Sequence, residues 1–96
     1  MQTRTLGDTS VFPIGLGCMP MSGRRMLEHR DSAIETIHTA LDAGVNLLDT
    51  ANIYAPDAEH FGHNEQLVAE AVRTYSGLRP LIATKGGITR EPGEIW

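Results

Sequence analysis

Three short apolar runs in this chain end at near-regular intervals on residues able to do chemistry. They are Ile14-Gly15-Leu16-Gly17-Cys18, Val45-Asn46-Leu47-Leu48-Asp49, and Leu81-Ile82-Ala83-Thr84 followed by Lys85. Their ends, at Cys18, Asp49 and Lys85, lie 31 (49 − 18) and 36 (85 − 49) residues apart. Each interval holds one helical pattern. Strand, helix and strand at that spacing make a βαβ unit, and such units build parallel sheets. The chain therefore reads as α/β.

The helices are placed by periodicity and punctuation. Ile34, Ile37 and Leu41 share a helical face, and Gly44 supplies a stop. Ser32 and Glu35 have the spacing of a capping box, which starts this helix near Asp31-Ser32. Asn64 is the expected N-cap of a second helix, whose face is Val68, Ala71, Val72 and Tyr75, with Gly77 at its end. Residues 19–30 and 51–63 lack periodicity and read as loops. Residues 1–13 read as a β-hairpin, with Thr3–Leu6 and Ser10–Phe12 flanking Gly7-Asp8-Thr9. The tail from Gly86 is turn-rich and carries no assigned element.

Composition narrows the function classes. The 96 residues suffice for one small domain, and 41% hydrophobic with 21% charged residues is a globular balance. Net charge is −4 and the eight Lys and Arg are scattered, which argues against a nucleic-acid surface. One cysteine, Cys18, fits a reducing compartment rather than a disulfide framework. The segment Met1–Thr5 lacks the apolar core of a signal peptide. No apolar run approaches the roughly 18 residues of a membrane helix. The expected location is the cytoplasm.

Polar residues gather where the strands end, as active-site residues do in α/β barrels. Asp49 and Lys85 close neighbouring strands and should meet. A plain ion pair that sets strand register accounts for them equally well. Tyr54, five residues after Asp49, is within reach of Lys85. A free phenol has a pKa of about 10 and is a weak acid at neutral pH. A neighbouring ammonium favours phenolate, and a carboxylate beside that ammonium keeps it charged. Such a trio makes a tuned general acid, with the phenol in hydrogen-bonding contact with the ammonium. An amphipathic loop tyrosine is the alternative at position 54.

Other signals are weaker. Gly15-x-Gly17 is followed by Pro20 and a long loop, not by the G-x-G-x-x-G and helix of a dinucleotide-binding turn. His60 and His63, with Asp57, Glu59 and Glu65 nearby, lack a metal-site arrangement and read as a solvated loop, in which His60 or Phe61 could touch substrate. No histidine is placed to activate Cys18 as a nucleophile. Arg24-Arg25 reads as surface.

Four motifs then occur in order. Leu48-Asp49-Thr50-Ala51-Asn52-Ile53-Tyr54 resembles the LDTAxxY signature of aldo-keto reductases, and Gly15-Leu16-Gly17-Cys18-Met19 resembles the GLGxM that ends their first strand. Asn64-Glu65 resembles their NExxxG segment, with Ala69 in place of the glycine, and Ala83-Thr84-Lys85 resembles their third-strand lysine motif. The GLGCM opening is most like a bacterial branch, and the leading hairpin resembles the one that plugs the bottom of their barrel.

The resemblance implies that residues 1–96 are the N-terminal part of a single (β/α)8 TIM-barrel domain: the hairpin and the first three strands, with the barrel incomplete in this chain. It implies a catalytic set of Asp49 as the lysine's partner, Tyr54 as proton donor and Lys85 as the tuner of the tyrosine. Gly17, Cys18, Met19 and Asp49 match positions at the nicotinamide end of the cofactor site. The implied cofactor is NADPH, with NADH as the lesser choice, and the implied partner is a small carbonyl compound. The family's catalytic histidine follows the fourth strand, a place that His29, His38, His60 and His63 do not occupy. A complete barrel needs roughly 250 residues. The alternative is therefore a partial barrel without activity of its own, which acts by associating with a complementary chain or with itself. A non-catalytic nicotinamide sensor is a third reading.

Overall fold

The computed structural model describes residues 2–92. Met1, where the expected hairpin begins, and the last four residues of the tail lie outside the described residues. β1 (Arg4–Leu6) and β2 (Thr9–Val11) pair antiparallel, Arg4 opposite Val11 and Leu6 opposite Thr9. Gly7 turns the chain at φ +59°, and Asp8 keeps a negative φ. Glycine at the first central position is the mark of a type II′ turn, whose twist suits a hairpin. Thr9, expected in the turn, belongs to β2.

β3 (Leu16–Gly17), β4 (Leu47–Asp49) and β5 (Leu81–Ala83) form a parallel sheet in sequence order. Gly17, Asp49 and Ala83 share one rung, and Leu16, Leu48 and Ile82 the next. The ladder continues past the strand ends: Cys18 N donates to Asp49 O at 3.0 Å, Thr50 N to Ala83 O at 2.8 Å, and Asn52 N to Lys85 O at 3.1 Å. That continuation holds the segments after β3, β4 and β5 at one edge. The apolar runs were longer than the strands they make. Ile14 and Gly15 precede β3, and Val45 and Asn46 precede β4.

α1 (Arg30–Asp42) and α2 (His63–Arg73) connect the strands and pack on the sheet. Ala33, Ile37 and Leu41 of α1 meet Leu67, Val68, Ala71 and Val72 of α2 over Leu48, Cys18 and Met21, with Ile34, Leu16, Tyr75 and Ile82 partly buried against them. Arg30 Nε bonds Glu70 Oε2 at 2.9 Å and His38 Nε2 meets the Ala71 carbonyl at 2.7 Å, tying helix to helix. Asn46 joins the hairpin to the sheet: its Oδ1 accepts from Phe12 N at 2.7 Å and its Nδ2 donates to Ser10 O at 3.1 Å.

Both expected helix starts are corrected. Residues 19–30, read as loop, hold 3-10 helices at Met19–Ser22 and Arg24–His29, and the second runs into α1. A three-residue period leaves no 3.6-residue stripe to see. Because Arg24–His29 already forms helical turns, α1 has no isolated first turn for Ser32 to cap. Its N-cap is His29, without a side-chain cap bond. Gly62, at φ +91°, is the N-cap of α2 rather than Asn64. Asn64 lies inside the first turn and turns its amide inward. Among the described residues no helix is long and apolar enough to cross a membrane.

Candidate active site

Asp49 ends β4, and Lys85 lies two residues beyond β5. Parallel pairing brings them together: Lys85 Nζ donates to Asp49 Oδ1 at 2.9 Å and Oδ2 at 3.1 Å, and to the Thr50 carbonyl at 2.9 Å. Tyr54, in the loop after β4, stands at the same edge with the ammonium 4.9 Å from its ring centroid. The expected contact was with the phenol oxygen. Asp49 and the Thr50 carbonyl take the close hydrogen bonds of the ammonium, and Tyr54 meets it with its ring face and, more weakly, with its hydroxyl. The Asp49 hydrogen bond holds Lys85 above the ordinary lysine value of 10.5, and the phenol adds to that second. Lys85 thus remains an ammonium throughout the neutral range.

A cleft of about 290 Å³ opens beside this group, lined by Met19, Ala51, Asn52, Ile53, Tyr54, Lys85, Gly86 and Ile88. Apolar walls with a few converging polar groups are the usual makings of a ligand site. Among the described residues nothing donates a hydrogen bond to the buried Asn52 Oδ1. Gly17 shares the Asp49 rung, and the space where a side chain would stand on it is open. A wider cleft of about 850 Å³ lies between α2 and the approach to β5, lined by Arg30, Glu70, Arg73 and Arg79 among others. Asp49, Tyr54 and Lys85 do not line it.

Cys18 lies apart in character. Its thiol has no exposed surface and belongs to the core, with Sγ 3.7 Å from the Leu16 carbonyl. Burial, and secondarily the Asp49 carboxylate, push the thiol up to about 11. It is a packed, protonated thiol, and only its backbone lies at the strand end. Met19 reaches the cleft with its side chain half exposed.

Behind this edge runs a buried polar chain that the motifs did not disclose. Asn64, fully buried, accepts from Thr50 Oγ1 at 2.6 Å and donates to Cys18 O at 2.7 Å and Ser22 Oγ at 2.8 Å. Ser22 Oγ lies 2.7 Å from His63 Nδ1. With Asn64 donating to Ser22, the hydroxyl is free to donate to a neutral Nδ1. Burial first, then the charges of Arg30 and His60, lowers the His63 pKa, in keeping with that tautomer. The chain links the segment after β3 to Thr50, whose carbonyl receives Lys85. His60 instead pairs with Asp57 at the surface. Among the described residues no three His, Cys, Asp or Glu cluster as a metal site.

The aldo/keto reductase family model matches residues 13–95. The chain belongs to this family. The 6-dehydroglucose reductase of Novosphingobium aromaticivorans is 48% identical over 92 residues, which cover 88% of this chain and 29% of that protein. Pyridoxine 4-dehydrogenase of Escherichia coli is 33% identical, over 98% of this chain and 32% of its own length. The holo form of aldo-keto reductase AKR11C1 from Bacillus halodurans superposes with a TM-score of 0.73 at 32% identity, covering all of this chain and 30% of that one. The chain thus spans about three-tenths of the length of the relatives it matches. Its hairpin and three-stranded parallel sheet are the opening portion of the aldo-keto reductase barrel, which three strands do not close.

Two site features had different visibility in the sequence. Asn64 precedes Val68 by one helical turn, so a polar residue on the buried stripe of α2 was a signal for an interior hydrogen-bonding role. Asn52 falls at an unspecified position of the family motif, and nothing local marks its carbonyl as buried.

Proposed function

We propose that residues 1–96 are the N-terminal part of one reductase barrel domain that converts aldehydes or ketones to alcohols with NADPH, or with NADH as the lesser choice. The observation that carries this reading is the convergence of Asp49, Lys85 and Tyr54 on one strand-end edge beside an apolar cleft. The residues present fit one end of a nicotinamide cofactor. Open space over Gly17, the flexible Met19 thioether and the apolar Ile53 and Ile88 suit a flat ring, and the unmet Asn52 acceptor suits a polar group on a ligand. Gly17, Met19, Asp49 and the backbone of Cys18 would border that ring.

When bound, the nicotinamide supplies a hydride to the carbonyl carbon. Tyr54 would give its hydroxyl proton to the carbonyl oxygen, which completes the alcohol and leaves a phenolate. Lys85 would oppose that negative charge from over the ring. Asp49 and the Thr50 carbonyl hold the ammonium in place, and Asp49 keeps it protonated. A positioned general acid contributes on the order of 10²–10⁴ in rate. Tyr54→Phe is therefore expected to lower carbonyl reduction by that factor in the full-length protein, with cofactor affinity, read by fluorescence titration, kept within about twofold. Undiminished turnover in Tyr54→Phe would refute the assignment.

A further inference from the structure

The loop after β4 is buried where most loops are wet. Ala51, Ile53 and Ala55 are 1%, 2% and 4% exposed, and Pro56 is buried too. Carbonyls in such a segment need donors from within the protein. Six consecutive ones have them. Ala51 O accepts from Tyr54 N at 3.3 Å, Asn52 O from Gly62 N at 2.7 Å, and Tyr54 O from Asn64 N at 3.1 Å. The other three go to one side chain: Arg90 Nη1 donates to Ile53 O at 3.3 Å and Ala55 O at 2.8 Å, and Nη2 to Pro56 O at 3.4 Å.

Arg90 is 8% exposed and stands 36 residues (90 − 54) beyond Tyr54, past β5. Burying a guanidinium is costly unless its protons are used. Its rigid, planar fork can serve several carbonyls at once, which a lysine ammonium on a flexible stem does less well. The three carbonyls bracket Tyr54 on both sides in sequence. The loop cannot swing the ring away from Lys85 without giving up these bonds inside the protein.

We infer that Arg90 is a positioning residue: by gathering the carbonyls on either side of Tyr54 it sets the phenol against Lys85. The consequence for turnover rests on Tyr54 being the proton donor. The consequence for loop geometry does not.

The two are tested separately. In the full-length protein, selective lysine labelling shows the Lys85 side-chain resonances, and their loss in Lys85→Arg identifies them among those of any other lysine. Lying over the Tyr54 ring, they are shifted upfield by its ring current, and Tyr54→Leu abolishes the shift. In Arg90→Met the Lys85 resonances are expected to move most of the way to free-lysine positions while the core amides of Ile37 and Leu67 stay in place. In parallel, kcat falls about 100-fold, the scale of an ångström-sized misplacement, and the cofactor KM is kept. Unmoved Lys85 resonances in Arg90→Met overturn the inference. If that variant loses its core signals, Arg90→Gln, which keeps a planar donor, is read the same way. Loss of the core in both variants overturns the inference in favour of a general folding role. A lost ring-current shift together with full activity in Tyr54→Phe leaves Arg90 as the holder of the loop and defeats the proton-donor reading alone.

Discussion

Lys85 is governed by its neighbours at the edge of the sheet, and the direction of that influence makes a pH prediction. Its largest support is the hydrogen bond it donates to Asp49, which raises its pKa. A group held above 10.5 stays cationic below that value and loses its charge only as pH climbs through the raised one. If turnover needs the cation, activity should fall on the alkaline side. Asp49→Asn removes the first cause of the rise, so the alkaline limb of kcat against pH should move to lower pH. An alkaline limb that stays in place in Asp49→Asn would mean that the ammonium is not what titrates there. Asp49 and Lys85 were legible as a pair because strand ends at βαβ spacing must lie side by side. The approach of the ammonium to the ring was not legible, because the Thr50 carbonyl takes one of its protons and no motif encodes that bond.

Among the elements, the seam between α1 and α2 carries the stability. Ile37 has no exposed surface and sits between the two helices, whereas Arg30 and Glu70 cross the same seam with side chains 40% and 34% exposed. Removing a buried isoleucine to alanine costs the transfer of its methyl groups and leaves a cavity, in all about 3 kcal/mol. A partly exposed ion pair contributes under about 1 kcal/mol. Urea denaturation is therefore expected to show Ile37→Ala destabilised several times more than Glu70→Gln, and equal losses would contradict this packing. The apolar stripes located both helices, but α2 ends at Arg73 with Thr74 as its C-cap, so Tyr75 and the expected stop at Gly77 lie beyond it. The helix starts differ from the expected ones because Gly62, not Asn64, precedes the first turn of α2, and because the turns at Arg24–His29 feed α1 from upstream.

At the scale of the molecule, three parallel strands leave β3 and β5 each with a free edge among the described residues. Leu78 is 93%, Ile88 59% and Ile14 57% exposed. Unpaired parallel edges with apolar side chains nearby favour association. Expressed by itself, the 96-residue chain is expected to sediment as a concentration-dependent mixture of species. A sharp monomer at all concentrations would speak against that expectation.

Order and period along the chain were enough to determine a hairpin, then alternating strands and helices in a parallel α/β arrangement, and with it the edge where Asp49 and Lys85 meet. These follow from local pattern and from the short reach of each connection. Tertiary structure alone decided that Asn64 reaches Cys18, Ser22 and Thr50, that the Cys18 thiol faces the core, and that Arg90 gathers the carbonyls around Tyr54. The physical reason is common to the polar two. A buried polar atom takes whichever donor or acceptor the fold carries to it, here from 14 to 46 residues away, and such partners leave no periodic trace in the sequence.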